Sequence, residues 1–217
     1  MEETTSQTSD YISKADTKRE RSITATRRKR TMRAFSFIGA GAAVIALVVA
    51  GIWWAGQKEA DAPGMFYPSV GQEHISLTAA APAPYNSNPP SSGAHFPSPA
   101  NWGVYDYEVH DRLFIHNMEH GGVWIAYRPT IATSTINDLK AIAEAFGGSK
   151  IVMAPRAAND ADIAIVAWTR VLKLDSVGEH LSDEQKGQIR VFYKQWKNRG
   201  PEFVPDTMPG VNPKGVQ

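Results

Sequence analysis

The chain has 217 residues, a formal net charge of +1, 42% hydrophobic residues and no cysteine. The missing thiols exclude disulfides and thiolate metal sites, so any bound metal must rest on imidazole, carboxylate or thioether. The near-neutral charge is the sum of two unlike parts: residues 1–34 carry nine Lys/Arg and five Asp/Glu, whereas residues 55–217 carry 14 and 17. The larger, mildly acidic part implies no polyanion-binding surface and no nucleic-acid partner.

Residues 1–34, rich in Ser, Thr and charge, lack the apolar content to fold and read as a disordered basic cytoplasmic tail. Residues 35–54, FSFIGAGAAVIALVVAGIWW, hold no charge and have the length of a bilayer-spanning helix. A cleaved secretory signal is the alternative, but it needs a shorter apolar core and a small-residue cleavage site, whereas this run is long and ends in Trp53-Trp54. The basic cluster from Arg27 to Arg33 abuts the span. Cytoplasmic loops carry the excess of Lys and Arg, so the N-terminus is expected in the cytoplasm and the main domain outside, anchored to the lipid bilayer through residues 35–54.

Eight of the fourteen prolines fall in residues 55–101. Proline fixes φ and removes a backbone donor, so residues 55–84 read as an extended proline-rich arm leading to a globular domain over 85–203. Val104 to Tyr107 and Val123-Trp124-Ile125-Ala126-Tyr127 are strand candidates, the second stopped by Pro129. Thr133 or Ser134 can cap a helix over Thr135 to Phe146, ended by Gly147-Gly148. Lys150 to Ala154 and Ala161 to Leu172 each read as a strand. Ser182 and Gln185 have the spacing of a capping box and open a helix to about Asn198, with Ile189, Phe192, Tyr193 and Trp196 on its inner side. Residues 204–217 read as a loose tail. The order predicts an α+β fold: a small mixed, largely antiparallel sheet with two helices, preceded by one transmembrane helix and the proline-rich arm.

Five of the six histidines lie in the 47 residues from His74 to His120. Imidazoles gathered in this way suit a transition metal better than a hydrophobic core. His116 and His120 are four apart, which aligns both rings on one face of a helix, while on an extended chain His116, Met118 and His120 share a face. Gly121-Gly122 follows at once, so a tight turn or a single helical turn is expected there. His95 and His74 can reach the pair if the arm folds back over the sheet. The expected metal ligands are therefore His116, His120, His95 and His74, with Met118 as a further candidate thioether that would select Cu(I). The ion is copper or zinc. Glu119 is expected to orient a ligand from behind. His110, among Glu108, Asp111 and Arg112, reads as solvated loop, and His180 as surface.

The same residues also fit His-x-x-Glu-His, in which two histidines bind zinc and Glu119 is a general base. That chemistry needs a sustained helix and a third ligand, for which Glu184 and Glu202 are the downstream candidates.

Asn88-Pro89-Pro90-Ser91-Ser92-Gly93-Ala94-His95-Phe96, Gly103-Val104-Tyr105 and Leu113-Phe114-Ile115-His116-Asn117-Met118-Glu119-His120-Gly121-Gly122-Val123 together resemble the signature of the DUF3105 family, a bacterial and mostly membrane-anchored group. The resemblance extends from about His74 to Pro201. The family commonly has leucine where this chain has Met118, which weakens Met118 as a ligand. Membership implies a bacterial cell membrane and an extracytoplasmic domain, but no activity.

The residues thus point to a membrane-tethered, extracytoplasmic metal-binding protein in envelope metal handling. A zinc-dependent envelope hydrolase and a metal-free interaction module with an unknown protein partner are the alternatives.

Overall fold

The structure, a computed structural model, describes residues 41, 43–53, 62–175 and 178–216. Residues 41 and 43–53 are helical and exposed. Among the described residues no helix is long and apolar enough to cross a membrane. The remainder of the span expected over 35–54, and the tail 1–34, lie outside the described residues. The chain forms two compact units, Met1–Asp61 and Ala62–Gln217, so the proline-rich arm from residue 62 onward belongs to the globular unit.

That unit contains β1 (Met65–Phe66), β2 (Gly103–Val104), α1 (Asp111–Glu119), β3 (Val123–Tyr127), α2 (Thr133–Ala145), β4 (Ile151–Pro155), β5 (Ile163–Ala167), β6 (Arg170–Leu174) and α3 (Asp183–Trp196). The six strands form one sheet in the order β1-β6-β5-β3-β4-β2. The β1–β6, β6–β5 and β5–β3 pairs are antiparallel, while β3–β4 and β4–β2 are parallel. The fold is α+β with a mixed sheet, and it has three helices in this unit where the sequence suggested two.

Both faces of the sheet are covered, which is why β3 and β5 are apolar at every position. Val123, Ile125 and Tyr127 point with Ile163 and Ile165 toward α2 and α3, where Leu139, Ile142, Ile189 and Phe192 complete one core. The alternate residues Trp124, Ala126, Ala164 and Val166 face the other way and pack with Leu113, Phe114, Ile115 and Met118 of α1. The period-two alternation of a strand thereby assigns each residue to one of two cores.

The Ser182 capping box opens α3 as its sequence indicated: the Ser182 hydroxyl accepts from Gln185 N at 3.1 Å and the Gln185 side chain accepts from Ser182 N at 2.9 Å. At α2 the expectation fails. Its N-cap is Ala132, with no side-chain cap, and the hydroxyl of Thr135 donates instead to the carbonyls of Gly178 and Glu179, each at 2.8 Å. The single strand expected over 161–172 is a hairpin, β5 and β6, that turns at Trp168-Thr169 with Thr169 at φ 63. Residues 204–217, read as loose, are fastened at Val211, which donates to Pro99 O at 2.8 Å and accepts from Asn101 N at 3.0 Å.

The helix the sequence reading missed is α1. Every residue from Leu113 to Glu119 is buried, His116, Asn117 and Glu119 included, and the Gly121-Gly122 that follows favoured a turn over a sustained helix. Two side chains fix its ends. His110, exposed to solvent as expected, is also the N-cap, its Nδ1 accepting from Arg112 N at 3.2 Å. Asn117, fully buried, clasps Ala100: its amide donates to Ala100 O at 2.8 Å and its carbonyl accepts from Ala100 N at 2.9 Å.

These two residues yield quantitative expectations. An imidazolium has no free Nδ1 lone pair, so the cap exists only when His110 is neutral. Burial holds the His110 imidazole below its ordinary value of 6.5, Asp111 opposing and Arg112 adding to the shift. A His with a lowered folded pKa gives its full stabilisation above 6.5 and loses it as pH falls from there toward the folded value. His110→Ala should therefore destabilise the domain by about 1 kcal/mol at neutral pH and by less in acid. His110→Asp should keep a cap without that loss, both read from urea unfolding. Asn117→Ala should cost about 2–4 kcal/mol, because it strands both the N–H and the C=O of Ala100 in the interior.

Candidate metal centre

The arm reaches α1 by pairing with the segment around His95. Gly93 N donates to Gly71 O at 2.9 Å, His95 N to Glu73 O at 2.9 Å and Ile75 N to His95 O at 2.8 Å, so His74 and His95 form a parallel bridge. The Pro-Pro-Ser-Ser-Gly turn holds this bridge from beneath. Ser91 and Ser92 are fully buried, Ser92 Oγ accepts from Val70 N at 3.1 Å, and Ser91 O accepts from Thr169 N at 2.9 Å. The two serines are thus structural, and the stretch rich in proline is ordered by a short backbone ladder together with side-chain bonds.

The bridge delivers two imidazoles to the buried C-terminal half of α1. The rings of His74, His95 and His116 form a nearly equilateral triangle with centroid separations of 4.9, 4.8 and 5.0 Å. Glu119 Oε2 lies 3.3 Å from His74 Nε2, 2.9 Å from His95 Nε2 and 4.0 Å from His116 Nε2. One donor atom from each of the four residues lies within 4.8 Å of all the others. Four ligands about 2.0–2.1 Å from a tetrahedral ion stand about 3.3–3.4 Å apart. The three carboxylate–imidazole separations bracket that value.

The outer ring nitrogens decide what the inner ones can do. His95 Nδ1 is 2.7 Å from Gly93 O and His116 Nδ1 is 2.6 Å from Phe96 O. A carbonyl oxygen only accepts, so both Nδ1 atoms carry the proton. In the neutral ring each Nε2 then presents a lone pair inward. Burial pushes His116 down from 6.5 to about 4, with the neighbouring rings of His120 and His95 adding to the effect against the Phe96 carbonyl and Glu119. His116 is accordingly neutral at physiological pH. Burial alone would raise the Glu119 carboxyl, but the hydrogen bond and charge of His95, followed by the hydrogen bond of His74, hold it below its ordinary value of 4.5. Ring nitrogens thus converge on a carboxylate, and a proton or a metal ion between them binds to both. Metal-ligating histidines usually donate their other N–H to a carbonyl in this way.

His74, His95 and His116 are brought together, with side-chain exposures of 44%, 0% and 5%. His120 sits at the edge of the cluster, its Nε2 3.1 Å from His116 Nε2 and 3.3 Å from Glu202 Oε2. Burial holds His120 below its ordinary value despite the opposing charges of Glu202 and Glu119. Met118 packs with Phe114 and Trp124 in the apolar core. Two residues on a helix are about 200° apart, so Met118 points away from the face that carries His116. His180 is exposed and paired with Asp138 at 3.1 Å.

Two roles escaped the sequence reading. Glu119 is central to the cluster, its carboxylate shared by His74 and His95, where a position behind a ligand was expected. Glu202, one of two unremarkable carboxylates downstream, arrives beside His120 because the chain after α3 crosses the end of α1. Asn198 N donates to Gly121 O at 2.8 Å and Glu202 N to Glu119 O at 3.1 Å. The crossing needs two glycines. Gly121 has φ +76 and a Cβ there would meet Asn198 Cα at 2.7 Å, while a Cβ on Gly200 would run into the Glu119 carbonyl oxygen. The Gly200-Pro201 pair is the available signal in the sequence.

No curated protein and no solved structure is matched by the chain. A family described as "Protein of unknown function (DUF3105)" matches residues 76–205, which takes in His95, His116, Glu119, His120 and Glu202 and leaves His74 two residues outside. That match covers more than half of the chain, and the chain belongs to the DUF3105 family.

Proposed function

We propose that the protein is a membrane-tethered, extracytoplasmic metal-binding protein whose ion is held by His74, His95, His116 and Glu119, with a role in envelope metal handling. The observation that carries this reading is the locking of His95 and His116 as Nδ1 donors to Gly93 O and Phe96 O, which turns their Nε2 lone pairs toward one another and toward Glu119. Three imidazoles and a carboxylate suit zinc or Cu(II). The thioether argument for Cu(I) lapses with Met118 in the core, which leaves zinc and Cu(II) as the candidate ions. The tether and the outward orientation rest on the uncharged run 35–54 and the basic cluster before it.

The alternative of a zinc hydrolase draws on one observation: the His116-x-x-Glu119-His120 motif lies on α1, and its two Nε2 atoms are 3.1 Å apart. Against it stands the engagement of Glu119 by His95 and His74, which makes the carboxylate a ligand and leaves no free base.

Elemental analysis of the purified full-length chain after dialysis against zinc or copper tests the reading. Wild type should retain metal, and a His95→Ala/His116→Ala double variant should not. At a free ion concentration of 100 Kd, binding should stabilise wild type by about 2.7 kcal/mol in thermal or denaturant melts. Metal-free wild type, or equal loading of both proteins, would overturn it. Glu119→Gln separates the two readings: it should weaken metal retention if Glu119 is a ligand, whereas a hydrolase would lose turnover with its metal content intact.

A further inference from the structure

We infer that the protein has a second ion position, formed by His120, Glu202 and the shared carboxylate of Glu119, so that Glu119 bridges two cations. This inference rests on the reading of His74, His95, His116 and Glu119 as the first position.

The geometry supplies the ligands. Donor atoms of Glu119, His120 and Glu202 lie within 4.8 Å of one another, and His120 Nε2 is 3.3 Å from Glu202 Oε2. A carboxylate has two oxygens and can serve two ions. In Glu119, Oε2 is the atom nearest His74 and His95. His116 and His120, one helical turn apart, present their Nε2 atoms to each other at 3.1 Å, which places the second group directly beside the first.

The site is built and is no chance meeting of surface charges. His120 is 6% exposed and Glu119 1%. The backbone that carries Glu202 is fixed by its own N–H to Glu119 O and by the Gly200 contact with the end of α1, an approach that no side chain at residue 200 could permit. On the opposite side the buried Lys150 ammonium donates to His120 O at 2.7 Å, which pins the residue that carries the imidazole. Its charge is answered by Asp206 Oδ1 at 4.0 Å.

The two positions differ in character. The first has four protein ligands, a complete tetrahedral set, and suits an ion held in place. The second has three, and Glu202, with 49% of its side chain exposed, is open to solvent. Coordination positions on that side remain for water or for an oxygen of a small ligand, as in catalytic and exchangeable sites. Two cations that share a carboxylate also form the arrangement in which an oxygen nucleophile or leaving group is stabilised from both sides. The second ion is therefore the more weakly bound and the more readily exchanged.

Equilibrium dialysis of the full-length chain against zinc chloride, with bound zinc measured per chain, tests this. Wild type should take up about two ions in two resolved steps, and Glu202→Gln should retain about one, bound with the tighter constant. The half-exposed position of Glu202 makes that variant safe for folding, and His120→Gln should give the same result. One ion in wild type, unchanged in Glu202→Gln, overturns the second position and leaves the first standing. No zinc in wild type overturns both. Loss of all zinc in Glu202→Gln also overturns the inference, because a single site would then depend on Glu202.

Discussion

Helix α1 ends in five buried residues, four of them polar, and every one of those side chains must find a partner inside the protein. His116, Asn117, Glu119 and His120 are each between 0 and 6% exposed. A buried polar group left without a partner costs about 1–3 kcal/mol, so four such groups could cancel much of the stability of a small domain. The surrounding architecture meets this demand one group at a time. Ala100 takes Asn117 with two hydrogen bonds, Phe96 O takes His116 Nδ1, and the His74–His95 bridge surrounds the Glu119 carboxylate. These three partners come from the proline-rich segment, which explains how a stretch with so few backbone donors is held in place, while His120 meets Glu202 from the segment after α3.

β3 and α3 were more legible in the sequence than α1. β3 shows a five-residue apolar run closed by proline, and α3 shows a capping box and an apolar stripe, because these elements face an apolar core and obey its periodicities. In α1 the apolar residues Leu113, Phe114, Ile115 and Met118 answer one core, while the polar residues between them answer a polar one. Arg112, His116, Glu119 and His120 recur at helical spacing on one face, but the run is short and Gly121-Gly122 closes it at once, which pointed to a single turn. The hairpin at Trp168-Thr169 was hidden for a different reason: the left-handed turn residue is Thr169, where glycine or asparagine would have marked it.

The histidines show how far composition carries. Their density pointed to the cluster, and the four-residue spacing of His116 and His120 placed both on one face whichever local structure they took. Composition did not reveal which imidazoles share a centre. His120 lies between His116 and Glu202, and His74, 42 residues upstream of His116, stacks on its ring at an interplanar angle of 6°. Long-range pairing of the arm decides this, and such pairing leaves only indirect traces in a single sequence. Asn117 and Gly200 are two of those traces: a buried amide clasping a loop and a glycine at a backbone crossing, each explicable only once its partner is known.

A polar centre assembled from distant parts of the chain also ties any binding to folding. The segments around His74, His95, α1 and Glu202 bring their donor atoms together only in the folded domain, so an ion that bound there would stabilise that state over the unfolded chain. The carbonyls of Gly93 and Phe96 fix the ring tautomers of His95 and His116 in the folded protein. No ring rotation or tautomer change is then required for binding, which favours affinity. The same rigidity has a cost in the metal-free protein, where lone pairs of His95 and Glu119 oppose each other across 2.9 Å unless a proton lies between them. A proton and a metal ion therefore compete for one location, and acid should oppose the metal through the very groups that bind it.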